Sequence, residues 1–360
     1  MTEFSCRTKI YSGPGSVARL KELGSQRLLL VADPFFAKNG TADQLLAHCG
    51  ATYTALFDKV TPDPSVELVA EGVAKVREFQ PDTVVALGGG SAMDCAKAMA
   101  HFAGGDITLV MIPTTSGSGS EVTDFAVLTH GQTKYPLVDK KLLPDVAILD
   151  SDLLHKLPQS LIAGAGFDIL GHALESFVAT GANAFTDALA KEAFCKALIL
   201  LPGSFSGDIA IRGQIHEAAT MAGMAFQQAG LGMCHALAHA LGAAYHVPHG
   251  QLIAILLPAV IDCNAHLCGN KYALLARAAG LPGSVDTLAV RSLKNALVRL
   301  RKTLDLPATL KEAGVDVRKV WYEREKIVTT ALSDPCCGTN PIKAEPFMVS
   351  RVLEAVSGRE

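Results

Sequence analysis

Apolar runs in the first half of the chain each end in a turn of small or polar residues, and a helix-like stretch follows each one. The clearest runs are RLLLVAD (27–33), TVVALGGGS (83–91) and 108–112, which leads into PTTSGSGSE. Continuous apolar strands are typical of a parallel sheet that helices cover on both faces. The alternation therefore predicts an α/β domain with a Rossmann-like parallel sheet.

The pattern becomes almost wholly helical after the strand VAILD (146–150). The predicted helices are 160–180, 185–200, 214–228, 232–242 and 250–264, with breaks at Pro202-Gly203 and at Pro248. A chain of 360 residues suits two domains. We predict an α/β dinucleotide-binding domain over 1–155 and an all-helical metal- and substrate-binding domain over 156–360. The functional site is expected in the cleft between them.

Charge and cysteine usage restrict the partners. A net charge of -3 gives no indication of nucleic-acid binding. Gly, Pro or charged residues interrupt every apolar run, so no membrane partner is expected. The start MTEFSCRTKIYSG lacks the apolar core of a signal peptide. The nine cysteines show no CxxC spacing and indicate reduced thiols. We therefore expect a cytoplasmic protein.

Two glycine-rich loops predict a nucleotide site. GGGSAMD (88–94) lies between a strand and a helix, and PTTSGSGSEVT (113–123) follows the next strand. Glycines let a backbone approach a phosphate, and a helix N-terminus offers free N–H groups. Each loop by itself is also explained as a structural turn. Because both follow parallel strands, a dinucleotide crevice is the favoured interpretation.

Asp33 ends the strand 27–33. A carboxylate at this place can accept hydrogen bonds from an adenosine ribose and would repel a 2′-phosphate. The expected cofactor is thus NAD(H) rather than NADP(H). The alternative is that Asp33 only caps the following turn.

Two stretches carry candidate metal ligands. In GLGMCHALAHALGAAYHVPHG (230–250), His235 and His239 are four residues apart on one helical face, and His249 follows a Val-Pro break. In GFDILGHALES, Asp168 and His172 have the same spacing. One carboxylate and three imidazoles, from Asp168, His172, His235 and His249, suit Fe(II), with Zn(II) as a second possibility. Read separately, the upstream pair is also explained by an i,i+4 contact on a helix surface.

These motifs together resemble the iron-containing (group III) alcohol dehydrogenases. The resemblance runs from the N-terminal strand to CCGTNP (336–341) and implies the dehydroquinate-synthase-like architecture of that family. Within the family, TPDP, GGGSAMDCAKA, KYPL, PDVAILD and AGMAFQQAGLG are most similar to the propanol dehydrogenases associated with bacterial microcompartments.

The resemblance implies roles for particular residues. The metal ligands are Asp168, His172, His235 and His249. The histidine beside the nicotinamide and substrate is His239. The cofactor contacts are Gly88, Gly89, Gly90, Ser91, Asp94, Thr114, Thr115, Ser118, Lys134 and Leu153. Phe226 and Cys336 line the substrate pocket. His246 matches no role, and Asp63 stands where many relatives carry Asn.

The expected activity is reversible hydride transfer between NAD(H) and a short-chain aldehyde/primary alcohol pair, with the metal as Lewis acid and His239 as proton relay. Alternatives are a polyol dehydrogenase of the same family, of the glycerol or 1,2-propanediol type, and a non-catalytic nucleotide- and metal-binding protein. The family implies a homodimer or a higher homo-oligomer. Microcompartment shell or cargo proteins are further expected partners, with the enzyme inside the microcompartment.

Overall fold

The computed structural model describes residues 4–131 and 133–358. These residues form two compact units. One is Ser5–Leu157, and the other holds Phe4 together with the chain from Pro158 onward.

A parallel sheet lies at the centre of the unit Ser5–Leu157. The described strands of this unit are β1 (Lys9–Ser12), β2 (Arg27–Ala32), β3 (Tyr53–Phe57), β4 (Thr83–Gly88), β5 (Thr108–Pro113), β6 (Phe125–His130), β7 (Thr133–Val138) and β8 (Val146–Leu149). Six of them form the sheet in the order β1-β8-β5-β4-β2-β3, and every neighbouring pair is parallel. The predicted α/β sheet is confirmed.

Helices cover both faces of this sheet. The α-helices of the unit are α1 (Pro34–Lys38), α2 (Thr41–His48), α3 (Val66–Phe79) and α4 (Gly90–Ala103). Along β2, Leu29 and Val31 belong to the apolar cluster that includes residues of α3 and α4. Leu28 and Leu30 point into a second cluster, which includes residues of α2. Successive side chains of a strand point to opposite faces, so a strand buried on both faces must be apolar throughout.

An antiparallel hairpin, β6–β7, lies outside the parallel sheet and was not predicted. Its burial pattern along β6 alternates between buried and partly exposed residues. Its apolar run, 125–128, is only four residues long before Thr129 and His130, so it is too short to stand out as a strand.

The other unit contains helices and no strand among its described residues. Its α-helices are α5 (Gln159–Val178), α6 (Ala184–Phe205), α7 (Ile209–Ala229), α8 (Met233–Tyr245), α9 (His249–Ala278), α10 (Asp286–Thr303), α11 (Val317–Tyr322), α12 (Arg324–Ser333) and α13 (Pro346–Val356). A 3₁₀ turn, Pro335–Thr339, precedes α13.

Two predicted boundaries are wrong. Pro202 lies inside α6 instead of ending it, and the helix closes three residues later with Ser206 N donating to Pro202 O. Pro202 has no N–H to donate to the carbonyl four residues before it, but its fixed φ suits a helix, so the chain stays helical for one more turn. The helix predicted to end at residue 264 continues to Ala278, with a kink at Cys268.

Two helices, Gln159–Val178 and His249–Ala278, are long and apolar enough to cross a membrane by length and composition alone. From the sequence, we expected no apolar run of that length. Within their most apolar windows, 78% and 56% of the residues are buried inside the protein. Such burial is typical of core helices, which are hydrophobic all round because they pack on every side.

Candidate metal and cofactor sites

The glycine-rich turn joins β4 to α4. Gly88 ends the strand, Gly89 occupies the N-cap position and Gly90 begins the helix, and no side chain of the described residues caps that N-terminus. A Cβ at Gly88 would lie 2.6 Å from Cβ of Ala92, which explains why a glycine is needed there. The N–H of Ala92 already donates to Gly89 O at 3.1 Å, and no side chain of the described residues competes with an anion such as a phosphate for the N–H groups before it.

The second loop packs directly against the glycine turn. Thr114 N donates to Gly88 O at 2.9 Å. A Cβ at Gly89 would lie 3.1 Å from Oγ1 of Thr115, and one at Gly90 would lie 3.2 Å from Oγ of Ser118. The two loops that were predicted from the sequence to form a nucleotide site thus lie against each other in the structure.

Ser91 and Lys134 meet at Asp63. The backbone N–H of Asp63 donates to Oγ of Ser91 at 3.3 Å, and Nζ of Lys134 lies 2.6 Å from Oδ1 of Asp63. The ammonium of Lys134 is therefore balanced by a carboxylate beside the glycine turn.

Asp94 is buried and serves the protein interior. Its oxygens accept hydrogen bonds from Oγ of Ser120 at 2.7 Å and from N of Val127 at 2.9 Å. Burial raises the pKa of Asp94 above its ordinary value, against the opposing charge of Lys97. These bonds hold α4, the second loop and β6 together, so Asp94 supports the arrangement of the two loops.

Lys97 was missed by sequence reasoning. It is fully buried, and Nζ donates to Oγ of Ser120, to O and Oγ1 of Thr123 and to O of Phe125 at 2.9–3.2 Å. Burial lowers the pKa of Lys97 to about 8, although Asp94 favours the charged form. Lys97 follows Asp94 by one helical turn, and that spacing is the signal that could have revealed it.

Asp33 and Leu153 take structural positions near the sheet. Oδ1 of Asp33 accepts the N–H of Phe35 at 2.8 Å and caps α1, and its Cβ lies 3.7 Å from a Cβ built on Gly88. Leu153 lies in a 3₁₀ turn, Ser151–Leu154, and packs partly buried against the apolar cluster of β2 and β4. Asp33 thus stands at the carboxyl edge of the sheet, beside the glycine turn.

In the helical unit, three imidazoles surround one carboxylate oxygen. Oδ1 of Asp168 lies 3.8 Å from Nε2 of His172, 3.6 Å from Nε2 of His235 and 3.3 Å from Nε2 of His249. Asp168 and His172 come from adjacent turns of α5, His235 from the first turn of α8, and His249 begins α9. The consecutive helices α8 and α9 thus converge with the distant helix α5 on one point.

Two of these atoms are buried and have no hydrogen-bond partner among the described residues. They are Oδ1 of Asp168 and Nε2 of His235. A polar atom buried without a partner is costly and requires a physical explanation. Divalent cations accept this mixture of one oxygen and several imidazole nitrogens. The donor set therefore fits a metal ion.

The electrostatic field of the cluster also favours a cation. Burial alone would lower the pKa of His235, yet its contacts with Asp168 and Glu175 raise it to about 9. Burial alone would raise the pKa of Asp168, but the neighbouring imidazoles hold it well below its ordinary value. The carboxyl group of Asp168 is thus ionised at neutral pH.

Glu175 orients His235 and was missed by sequence reasoning. Oε2 of this buried carboxylate lies 2.6 Å from Nδ1 of His235 and 3.1 Å from N of Gly232, and Oε1 accepts N of Cys234 at 2.7 Å. Asn340 adds a bond from N of Met233 at 3.1 Å. Glu175 thereby caps α8 and directs Nε2 of His235 toward the cluster. Its position seven residues after Asp168, on the same helical face, could have indicated it.

His239 lies on α8 one turn after His235, but it contacts a different carboxylate. Its Nδ1 lies 2.8 Å from Oδ2 of Asp334, and its ring stacks on that of His249 with centroids 5.3 Å apart. Burial would raise the pKa of Asp334, but the bond and charge of His239 lower it to about 2. Asp334 is therefore ionised and accepts the Nδ1–H of His239.

Of the remaining predicted residues, Phe226 and Cys336 contact residues of the histidine sites, and His246 has a structural role only. Phe226 is buried on α7 and stacks on His172 with ring centroids 4.3 Å apart. Cys336 donates its backbone N–H to Oδ1 of Asp334 at 2.8 Å. His246 is the left-handed C-cap of α8, with φ 56° and its N–H bonded to Gly242 O. A position of this kind explains His246 without any chemistry.

Comparison with known proteins assigns the class. Residues 7–151 match the family of iron-containing alcohol dehydrogenases, and residues 162–357 match the C-terminal region of the Fe-containing alcohol dehydrogenase family. The chain belongs to the iron-containing alcohol dehydrogenase family. Its relatives are named alcohol dehydrogenases, and this chain is an alcohol dehydrogenase as well.

The relatives match over nearly their whole length. The chain is 41% identical over 368 residues to a 1-propanol dehydrogenase of Citrobacter freundii, covering 98% of this chain and 99% of the relative. It is 38% identical over 380 residues to an NADPH-dependent butanol dehydrogenase of Clostridium saccharobutylicum, covering 99% and 98%.

Solved structures confirm the fold. An iron-containing alcohol dehydrogenase from Thermococcus thioreducens superposes with a TM-score of 0.92 at 33% identity, covering 99% of this chain and 100% of the other. A 1,3-propanediol oxidoreductase gives a TM-score of 0.93 at 31% identity, with the same coverage.

Proposed function

We propose that this protein is a metal-dependent, NAD(H)-linked alcohol dehydrogenase that interconverts short-chain aldehydes, such as propanal and acetaldehyde, with primary alcohols. One observation carries the proposal. Nε2 atoms of three histidines lie within 3.8 Å of the same oxygen of Asp168. The names of relatives that act on propanol and butanol support the substrate class.

Asp168, His172, His235 and His249 would hold the metal. Fe(II) is the ion that the family name indicates, and Zn(II) accepts the same ligands. When bound, the ion supplies Lewis acidity toward the oxygen of the substrate. Glu175 keeps His235 in the tautomer whose Nε2 faces Asp168, since Nδ1–H donates to the carboxylate.

The loops of the α/β unit would hold the cofactor. The glycine turn 88–90 and the uncapped N-terminus of α4 would receive the pyrophosphate. The further proposed contacts are Ser91, Thr114, Thr115, Ser118, Lys134 and Leu153. Asp94 would take part from the interior, by holding the second loop against α4. Asp33 supports NAD(H), because its carboxylate stands beside this turn and would repel a 2′-phosphate.

His239 would move the proton between substrate and solvent. Because Asp334 accepts the Nδ1–H, the lone pair lies on Nε2, and that atom takes or returns the proton. Asp334 is a positioning residue in this scheme, since it acts only through the ring of His239. The side chain of His239 is 31% exposed, which leaves a route to solvent.

Phe226 and Cys336 would line the substrate pocket. Phe226 lies against His172 and offers an apolar surface to a short alkyl chain. Burial and the charge of Asp334 raise the pKa of the Cys336 thiol well above its ordinary value, so this thiol stays neutral. A small uncharged aldehyde fits such surroundings better than a phosphorylated substrate does.

The proposal also covers the roles of the two domains, the oligomeric state and the location in the cell. Residues 1–155 would bind the dinucleotide, and residues 156–360 would bind the metal and substrate. We further propose a cytoplasmic homodimer or higher homo-oligomer that works inside a bacterial microcompartment. The support is the resemblance of its motifs to the propanol dehydrogenases of such compartments, together with the Citrobacter freundii relative.

The test uses protein purified without oxygen and loaded with Fe(II). NADH oxidation is measured with a panel of aldehydes of two to four carbons, and NAD⁺ reduction is measured with glycerol and 1,2-propanediol. The proposal predicts turnover with propanal or acetaldehyde and little oxidation of glycerol or 1,2-propanediol. Turnover of the diols alone would favour a polyol dehydrogenase. Metal and NADH binding without any turnover would favour a non-catalytic binding protein.

A further inference from the structure

A second group of metal-ligating side chains lies beside the four-residue cluster. It consists of His239, Asp334 and Cys336, whose donor atoms all lie within 4.8 Å of one another. We propose that these three residues form a second, inhibitory metal site that takes a thiophilic divalent cation such as Zn²⁺ or Cd²⁺.

The chemistry of the donors selects the ion. The group offers one imidazole nitrogen, one carboxylate oxygen and one sulfur. Zn²⁺ and Cd²⁺ accept this mixture, whereas Mg²⁺ and Ca²⁺ prefer oxygen alone. The four-residue cluster of Asp168 and three histidines contains no sulfur, so the two sites differ in the ions that they favour.

His239, Asp334 and Cys336 are already close to the arrangement that a metal ion requires. Oδ1 of Asp334 is held by the backbone N–H of Cys336 at 2.8 Å, which fixes the carboxylate relative to the backbone of Cys336. Oδ2 faces Nδ1 of His239 at 2.8 Å. Zinc–ligand bonds of about 2.0–2.3 Å place neighbouring ligands roughly 3.5 Å apart, so this pair must open by less than about 1 Å. The three residues are all partly exposed, which gives an ion access.

Binding is a proton exchange without any redox step. The thiol of Cys336 loses its proton to solvent and binds the cation through sulfur. Nδ1 of His239 gives up its proton, and Nε2 takes one from solvent, so the ring stays neutral while its tautomer changes. Because Nε2 then carries a hydrogen, it no longer accepts the proton of the substrate. Inhibition therefore follows from binding, and this consequence rests on the proposed function of His239.

The second site should be weaker than the first. The rings of His239 and His249 are stacked at 5.3 Å, so a second cation lies close to the first and is repelled by it. Titration with metal should proceed in two steps, with inhibition belonging to the second.

The experiment is a cadmium titration of protein whose first site has been filled by one equivalent of metal. Cadmium–thiolate bonds absorb in the ultraviolet, and a ligand set of carboxylate and imidazoles does not produce that band. We expect the band to appear with the second equivalent. Zn²⁺ over the same range should inhibit aldehyde reduction.

Two matched variants decide the assignment. Cys336→Ser should abolish the band and raise the inhibitory Zn²⁺ concentration about tenfold or more. Cys337→Ser changes the neighbouring thiol, which is outside the group, and should keep both effects. A band that survives in Cys336→Ser, or that disappears equally in both folded variants, would overturn the site. Because the band needs no turnover, its presence in a protein that reduces no aldehyde would uphold the site and refute only the proposed function.

Discussion

Oε2 of Glu175 lies 2.6 Å from Nδ1 of His235, and the same carboxylate caps the first turn of the helix that carries this histidine. One side chain therefore fixes both the position of α8 and the tautomer of His235. With Nδ1–H committed to Glu175, Nε2 points toward Asp168 at 3.6 Å. The geometry of the proposed metal site thus depends on a residue outside the ligand set.

Glu175→Gln should lower metal affinity about 10- to 100-fold, because the amide removes the charge that orients His235. Competition with a chelator under anaerobic conditions measures the change. Glu192→Gln, an exposed change on α6, is the matched control and should keep the affinity of the original protein. Equal metal affinity in the two variants would show that Glu175 does not orient His235 for metal binding.

His239→Ala should leave the metal content intact while aldehyde reduction falls by about 10²- to 10⁴-fold and its pH dependence changes. The reason is that His239 lies outside the four-residue cluster and bonds to Asp334. Metal analysis and initial rates across pH measure the two effects separately. His266→Ala, an exposed histidine on α9, should alter neither. An unchanged rate and pH profile in His239→Ala would exclude the relay.

Asp33→Ser should shift the cofactor preference toward NADPH by about tenfold or more, since it removes the charge that opposes a 2′-phosphate. Serine can still cap α1, as Asp33 does through Phe35 N. The ratio of kcat/KM values for NADPH and NADH measures the shift. Asp316→Ser, at the equivalent cap of α11, should leave this ratio unchanged. A clear NADPH preference in the unmodified protein would contradict the role of Asp33.

Lys97→Met should destabilise the α/β unit by about 1–3 kcal/mol near neutral pH, since buried acceptors lose their donor. Burial lowers the folded pKa of Lys97 to about 8 from an ordinary 10.5. Between these values the unfolded chain binds more protons, so the contribution of Lys97 to stability rises with pH. The stability difference between original and variant should therefore widen from pH 8 upward, by as much as about 3 kcal/mol.

Denaturant unfolding at pH 7.5 and at pH 9.5 tests this prediction. The exposed Lys343→Met variant corrects for effects of the other titrating groups. A difference between Lys97→Met and the original protein that stays constant across pH would show that the buried amine keeps an ordinary pKa.

Local patterns explain why much of the fold could be predicted. Buried parallel strands such as Thr83–Gly88 are apolar throughout, and the glycines after them mark the turn to a helix. Likewise, the four-residue spacing of Asp168 and His172 is a property of one helix. Such signals need no knowledge of tertiary contacts.

The parts that escaped prediction depend on distant contacts. Glu175 and His235 are 60 residues apart, and His239 and Asp334 are 95 apart. Glu175 shares a helical face with Asp168, but the local sequence does not show that its carboxylate contacts His235, nor that His239 contacts Asp334. His246 shows the converse, because a conspicuous histidine proves to be a left-handed helix cap.

The most direct test of the central claim is the metal content and propanal reduction of His249→Ala, purified without oxygen beside His246→Asn. Asparagine tolerates the left-handed conformation of residue 246, so that variant should keep about one metal ion per chain and its activity. His249→Ala should lose most of both, because it removes the imidazole nearest to Oδ1 of Asp168. Metal content and propanal reduction that both survive in His249→Ala would contradict the account.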